Sequence, residues 1–128
     1  MKIYLAGPMR GYALNNFPMF DCTAEALRRA GHTVSNPADH DRELGLSEFS
    51  DGESDPAIFH EMFRWDLSRV MESDGVVFLP GWQKSKGACA ERTVAHYLGI
   101  KCYDVCSDGQ LIEQITYHEP QISWLPKL

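Results

Sequence analysis

Apolar and polar residues follow two alternating patterns along the chain. Short apolar runs, typical of buried strands, occupy residues 3–6, 33–35, 75–79 and 100–105. Between them, apolar residues recur at helical spacing over residues 16–30, 57–72 and 88–98. A last helix is predicted over residues 108–118. The polar stretch from 38 to 56 predicts a long loop with room for one short helical turn.

This order of elements is typical of an α/β fold. Alternating strands and helices favour parallel strands joined by right-handed crossovers. We therefore predict one domain over residues 1–128, a doubly wound, flavodoxin- or Rossmann-like parallel sheet of four to five strands with helices on both faces. Such sheets bind ligands at the carboxyl ends of their strands, where the strand order reverses. The loops at 7–11, 36–37 and 80–87 follow strands and are expected to meet there.

Composition narrows the classes of partner. The formal net charge of -6 argues against broad nucleic-acid binding, which depends on Lys and Arg neutralising phosphates. No apolar stretch approaches the roughly 20 residues that span a bilayer, and the N-terminus reads as a strand rather than a signal peptide. We expect a cytoplasmic protein. The four cysteines form no C-x-x-C pair, which favours reduced thiols over a zinc site, and neither a metal nor a cofactor is expected.

Two acidic residues lie on the apolar faces of their predicted helices. Asp66 falls between the directions of Phe59 and Met62, and Glu91 points among the inward residues of the following helix. A buried carboxylate costs several kcal/mol unless it is paired. Each acid is therefore either satisfied by an arginine or a helix N-terminus, with Arg69 and Arg92 as candidate partners, or functional. Both helices flank one strand, and paired carboxyl groups are the usual equipment for cleaving a glycosidic bond.

Other candidates carry weaker signals. The glycines that bracket Pro-Met-Arg at residues 7–11 form either a ligand cradle or a simple turn. Ser85 lies between two lysines at a predicted helix start, where it forms either an anion site or an ordinary N-cap. Trp82 either stacks on a base or packs in the core, and packing is favoured. Tyr4 alternates with buried neighbours and is compatible with a core position.

Three stretches resemble a known family. KIYLAGPMRG, RWDLSRVMESDGVVFLPGW and SKGACAERTVAHYLG, in this order over residues 1–105, resemble the nucleoside 2-deoxyribosyltransferase-like superfamily, which includes deoxynucleoside 5'-monophosphate N-glycosidases. The nearest branch consists of small, mostly uncharacterised bacterial and phage proteins. The resemblance implies a doubly wound fold, usually dimeric. It identifies Gly87 to Glu91 with the family pattern G-x-x-x-E, whose glutamate is the nucleophile, and Asp66 with the aspartate that orients the sugar.

The resemblance also implies a set of substrate-binding residues. These are Tyr4, Gly7, Met9, Arg10, Gly11, Asn36, Trp82, Ser85 and Gly87. Pro8 and Met9 replace a Ser-Ile pair in the phosphate loop of the N-glycosidases, while Arg10, the Gly11 amide and Ser85 still offer donors to a phosphate.

The implied function is cleavage or transfer at the N-glycosidic bond of a 2'-deoxynucleoside or its 5'-monophosphate, by a homodimer or higher homo-oligomer. The alternative is a nucleotide-binding sensor of the same fold without catalysis. A third reading, an unrelated flavodoxin-like protein, requires a flavin.

Overall fold

The sheet has five strands, and four of them are parallel. The computed structural model describes residues 1–50 and 55–114. The strands are β1 (Lys2–Ala6), β2 (Thr33–Ser35), β3 (Gly75–Phe78), β4 (Lys101–Val105) and β5 (Leu111–Glu113). They lie in the order β2-β1-β3-β4-β5, and only β5 runs antiparallel to its neighbour. The order reverses between β1 and β3, which places the expected ligand position above these two strands.

Helices cover both faces of this sheet, as the sequence predicted. They are α1 (Phe17–Arg29), α2 (Pro37–Glu43), α3 (Pro56–Glu72) and α4 (Lys86–Tyr97). Because side chains alternate along a strand, β1 contributes residues to the hydrophobic cores on both faces of the sheet. Ile3 and Leu5 pack with α1, while Tyr4 and Ala6 pack with Val70 of α3 and with α4. None of the described helices is both long and apolar enough to cross a membrane.

The prediction of a helix over residues 108–118 is wrong for its described part. Residues 111–113 form β5, whose Glu113 pairs with Tyr103 of β4. The reversal comes from a turn in which Gly109 has a φ of 84° and the Asp108 carboxylate accepts the Gln110 amide at 3.0 Å. A turn of this kind returns the chain antiparallel to the strand it has left. Residues 115–118 lie outside the described part.

The predicted loop after β2 contains a helix of seven residues, α2. Asn36 caps this helix, because its side-chain oxygen accepts the Ala38 amide at 3.1 Å, and Pro37 occupies the first turn. Pro37, Ala38 and Asp41 are buried. The helix therefore turns one face inward near the carboxyl end of β1, and this face carries a carboxyl group.

Gly7 joins β1 to the loop above the sheet, and its position requires a glycine. A Cβ atom built on it would lie 2.8 Å from the Cβ of Leu79, just after β3. The two strands are therefore in direct contact where they end. The residues that follow each strand, 7–11 and 80–87, form neighbouring walls of one opening.

Candidate active site

A cavity of about 770 Å³ opens above the carboxyl ends of β1 and β3. Seven residues predicted from the sequence line it, namely Gly7, Met9, Arg10, Asp66, Ser85, Gly87 and Glu91. The volume lies within the range of small-molecule sites. Its other walls come from elements that the sequence did not assign to the site, including Asn15, Phe17, Asp41 and Leu46.

Tyr4, Asp66 and Glu91 form one cluster, although they come from β1, α3 and α4. Asp66 and Glu91 line the cavity, whereas Tyr4, which was predicted to bind substrate, is buried and does not. Tyr4 and Glu91 are almost fully buried, with 1% and 5% of their surfaces exposed. Burial and the charges of both carboxyl groups raise the pKa of the Tyr4 hydroxyl well above its usual value. Among the described residues, no donor reaches Glu91 Oε2. One oxygen of a buried acid therefore remains available to a ligand.

The surroundings favour the protonated form of both acids. Burial raises the pKa of Glu91 well above its usual value, and the charge of Asp66 raises it further. Burial and the charge of Asp41 raise the pKa of Asp66 to about 7. Hydrogen bonding with Tyr4 lowers both values but does not offset burial. Two such neighbours favour a state that holds a single proton, with one acid ionised and the other neutral.

The arginines that would make these acids ordinary ion pairs bond elsewhere. Arg69 donates to Glu72 at 3.3 Å on the far side of α3. Arg92 donates through Nε to Gln114 at 2.7 Å. We therefore favour a functional role for Asp66 and Glu91 over a structural role as ion-pair partners of these arginines.

Asp41 is a third acid in the cavity, and the sequence reasoning missed it. It lies on the buried face of α2 and is 5% exposed. Burial raises its pKa to about 6. The signal was present in Asn36-Pro37, which is a typical helix start and places Asp41 one turn after Ala38 on the same face. Because this stretch was interpreted as a loop, Asp41 was not recognised as a buried carboxyl group.

The N-terminus of α4 forms a further wall of the cavity. The Ser85 hydroxyl oxygen accepts the Ala88 amide at 3.2 Å, which leaves its proton free to donate. Lys84 and Lys86 flank it and are exposed. A Cβ atom built on Gly87 would lie 3.9 Å from Glu91 Oε1, so this glycine leaves open the approach to the acid.

The loop after β1 contributes a cation at the mouth of the cavity. The Arg10 guanidinium lies 4.5 Å from the centre of the Phe59 ring on α3. Met9 lines the wall beside it. Gly11 has a φ of 82° and serves the turn, outside the cavity lining.

Asn36 and Trp82 do not line the cavity, although both were predicted to bind substrate. Asn36 caps α2 and donates to the Asp21 carboxylate at 3.1 Å. The Trp82 ring packs against Phe78, with ring centres 5.0 Å apart. Packing, which the sequence analysis favoured for Trp82, is what the structure shows.

Metal ligation finds no support in the part of the chain that is described. Within residues 1–50 and 55–114, no group of three or more His, Cys, Asp or Glu side chains could hold a metal ion.

Comparison with known proteins supports the fold and gives the family. The structure is similar to a 2-deoxyribosyltransferase from Bacillus psychrosaccharolyticus, with a TM-score of 0.61 and 24% sequence identity, over 88% of this chain and 77% of that one. That enzyme is described as a biocatalyst for nucleoside synthesis. At this identity the likeness shows a shared Rossmann-like fold. No curated protein matches the sequence.

The chain thus shares its Rossmann-like fold with that enzyme. Residues 1–104 match a domain of unknown function, DUF4406. The chain belongs to this DUF4406 family, and the match covers β1 to β3, the helices up to α4 and all but the last residue of β4.

Proposed function

We propose that this protein cleaves or transfers the N-glycosidic bond of a 2'-deoxynucleoside or its 5'-monophosphate, with Glu91 as nucleophile. The observation that carries the proposal is the buried Glu91 carboxyl group, with one oxygen that has no described partner, beside Asp66 in a ligand-sized cavity. The fold shared with a 2-deoxyribosyltransferase supports the same chemistry.

The shared proton of the acid pair suits both halves of a retaining reaction. Because the charge of Asp66 raises the pKa of Glu91, the single proton of the resting pair lies on Glu91. This proton passes to Asp66 as Glu91 attacks C1' of the deoxyribosyl group, and Asp66 then gives it to the departing base. A pKa of about 7 lets Asp66 take up and release this proton near neutral pH, as a general acid requires. Water or a second base then attacks C1', Glu91 leaves as a carboxylate, and Asp66 takes up the proton of the incoming group.

Tyr4 holds the two acids in one geometry during this exchange. Its pKa is raised well above 10 by burial and by the charges of Glu91 and Asp66, so its hydroxyl keeps its proton. The neutral phenol can donate to whichever acid carries the negative charge. It therefore orients the nucleophile without competing as a base.

A 5'-phosphate fits the end of the cavity formed by α4. The Ser85 hydroxyl, the neighbouring lysines and the helix N-terminus supply donors and positive charge at one wall. Arg10 lies at the mouth. This arrangement favours a monophosphate over an unphosphorylated nucleoside. It also places the sugar beside Glu91 and Asp66.

We further propose a homo-oligomer that acts in the cytoplasm. Ile58 and Phe59 on the first turns of α3 are exposed, at 36% and 41%, beside the cavity. A second copy covering them would bury apolar surface near the site. All four cysteines are free thiols, as is common in the cytoplasm. Light scattering with size-exclusion chromatography measures the oligomeric state.

The test is release of free base, followed by chromatography. Purified protein is incubated with the four common deoxynucleoside monophosphates and with their nucleosides, with and without an acceptor base. We expect release from at least one substrate, and a loss of about a thousandfold or more in Glu91→Gln. Glu61→Gln, an exposed glutamate on α3, is the matched control and should retain full activity. Tight binding with no release would support the sensor reading instead.

A further inference from the structure

We propose that Asp41 is a specificity-determining residue that accepts a hydrogen bond from the exocyclic amino group of the substrate base. The inference rests on the proposed function and extends it to the choice of base. It follows from a buried carboxyl group that lines the cavity with no donor from the described protein.

The Asp41 carboxyl group lacks a hydrogen-bond partner in the part of the chain that is described. Asp41 is 95% buried by residue surface, since only 5% is exposed, and it lines the cavity. No described backbone or side-chain group donates to it, and Arg42, the next residue, donates to Asp21 and Asp39 instead. A carboxylate that lines a cavity without a protein donor can take its hydrogen bonds from a ligand.

Asp41 is held rigidly, as a recognition residue must be. The ring of His40 stacks on Trp65, with centres 4.1 Å apart and planes within 3°. These two residues immediately precede Asp41 and Asp66, so the stack fixes α2 against α3 where both acids lie. A carboxyl group fixed in this way discriminates between ligands better than a mobile one.

The three acids come from three helices, and α3, which carries Asp66, packs against both α2 with Asp41 and α4 with Glu91. The charge of Asp41 raises the pKa of Asp66, whereas the charge that acts on Glu91 is that of Asp66. The acids therefore follow the order Glu91, Asp66, Asp41 along the cavity. With a phosphate at Ser85 and the anomeric carbon at Glu91, the base extends toward Asp41.

The walls near Asp41 suit a flat ring. Phe17, Leu46 and Met62 line the same cavity. Phe17 lies beside α2, since the Arg42 guanidinium is 4.9 Å from its ring centre. Apolar faces with one acceptor at the edge complement a base that stacks on its faces and donates from its edge.

An ionised carboxylate can only accept hydrogen bonds, so Asp41 should favour bases that donate one at this position. The amino groups of cytosine and adenine donate to it, while the carbonyl oxygens at the same positions of uracil and hypoxanthine repel it. The carboxylate is ionised in most molecules above its pKa of about 6. The substrate class is therefore a deoxynucleotide whose base carries an amino group.

The experiment compares matched base pairs in wild type and Asp41→Asn. Values of kcat/KM are measured at pH 8 for dCMP against dUMP and for dAMP against dIMP. We expect wild type to prefer the amino-bearing partner of at least one pair by about tenfold or more. We expect the ratio in Asp41→Asn to fall to about one, because an amide offers both a donor and an acceptor. Glu43→Gln, on the same helix with a 76% exposed side chain, should keep the wild-type ratio.

Three outcomes would overturn the inference. The first is equal use of both partners of each pair by wild type. The second is an equal loss on both partners in Asp41→Asn, which would mean that Asp41 acts only through Asp66 or the fold. The third is an effect of Asp41→Asn that disappears on 2',3'-dideoxynucleotides, which would place the sugar hydroxyl at Asp41.

Failure of the proposed function is distinguishable from failure of this inference. If no base is released from any substrate, dissociation constants for the same nucleotide pairs are measured by calorimetry in wild type and Asp41→Asn. A preference for the amino-bearing nucleotide that is lost in the variant would support the inference without catalysis. Equal binding of both partners by wild type would contradict it.

Discussion

Asp66 acts on Glu91 through its charge, although the two residues come from different helices and lie 25 positions apart in the sequence. The interaction raises the pKa of Glu91 above the value that burial alone would give. A fold that only needed stability would not place two acids together in a poorly solvated position. The arrangement stabilises a singly protonated pair, which is the state that the proposed reaction uses.

Replacing Asp66 by Asn should lower the pKa of Glu91. The variant removes the negative charge that disfavours ionisation of its neighbour. Tyr4→Phe should move the pKa in the opposite direction, because hydrogen bonding with Tyr4 lowers it. Carbon-13 NMR titration of labelled glutamate carboxyl groups measures both shifts. Shifts of the same sign in the two variants would contradict the described cluster.

The parallel sheet could be read from the sequence because its strands are short apolar runs between helical patterns. The same reasoning found Asp66 and Glu91, since an acid on an apolar helix face is visible in one segment alone. It missed Asp41, because the polar stretch after β2 hid a helix of seven residues. It also predicted a helix at residues 111–113. These residues form a strand because their hydrogen bonds to β4 outweigh the local helical pattern. Contacts between distant segments, such as His40 on Trp65, leave no pattern in either segment.

Asp41→Asn should remove part of the pH dependence of folding stability. The pKa of Asp41 is raised from 3.8 to about 6, so the folded protein holds a proton that the unfolded chain releases between these values. The free energy of unfolding therefore falls as the pH rises from about 4 to about 6 through this group, and the loss persists above pH 6. The variant should be more stable than wild type at pH 8 by about 1–2 kcal/mol.

Denaturant unfolding at pH 4, 6 and 8 measures this effect. Glu43→Gln serves as the exposed control on the same helix and should follow wild type at each pH. A variant that is less stable than wild type at pH 8, with an unchanged slope between pH 4 and pH 6, would show that Asp41 is satisfied in the folded state.

Gly87→Ala should separate stability from ligand binding. Apart from the adjoining residues and the backbone of its own helix, an added Cβ meets no atom of the described residues closer than 3.9 Å, and alanine is the better helix former by up to about 1 kcal/mol. The protein should not lose stability, yet the new methyl group faces Glu91 and should raise KM about tenfold or more. Gly7→Ala is the contrasting variant, because its Cβ would clash with Leu79 at 2.8 Å and lower stability by about 1–3 kcal/mol.

Thermal melts and steady-state kinetics on both glycine variants provide the comparison. If Gly87→Ala kept the wild-type KM, the approach to Glu91 would not pass the start of α4, and the assignment of the phosphate to this wall would fail.

Asn15 should control the wall of the cavity next to residues 46–50. Leu14, Asn15 and Asn16 have φ values of 53°, 52° and 59°, a left-handed turn that is unfavourable for residues other than glycine. Within this turn, Asn15 Nδ2 donates to the carbonyl groups of Ser50 at 2.9 Å and Glu48 at 3.3 Å. The strained backbone therefore directs the Asn15 side chain toward residues 48–50, and its two hydrogen bonds hold this segment in place.

Asn15→Gly keeps this backbone accessible and removes only the side-chain bonds. We expect KM to rise about fivefold to tenfold with little change in kcat, and proteolysis within residues 46–50 to become faster. Leu14→Gly is the matched control, since it relieves the same turn without removing these bonds. Equal behaviour of the two variants would assign the effect to the backbone.

The central claim is tested most directly by identifying the residue that becomes glycosylated. The protein is incubated with a 2'-deoxy-2'-fluoro nucleoside monophosphate, whose fluorine slows breakdown of a glycosyl intermediate, and the adduct is located by peptide mass spectrometry. Our account predicts a sugar phosphate esterified to Glu91 and no adduct in Glu91→Gln. Base release that continues undiminished in Glu91→Gln, or an adduct on another side chain, would contradict it.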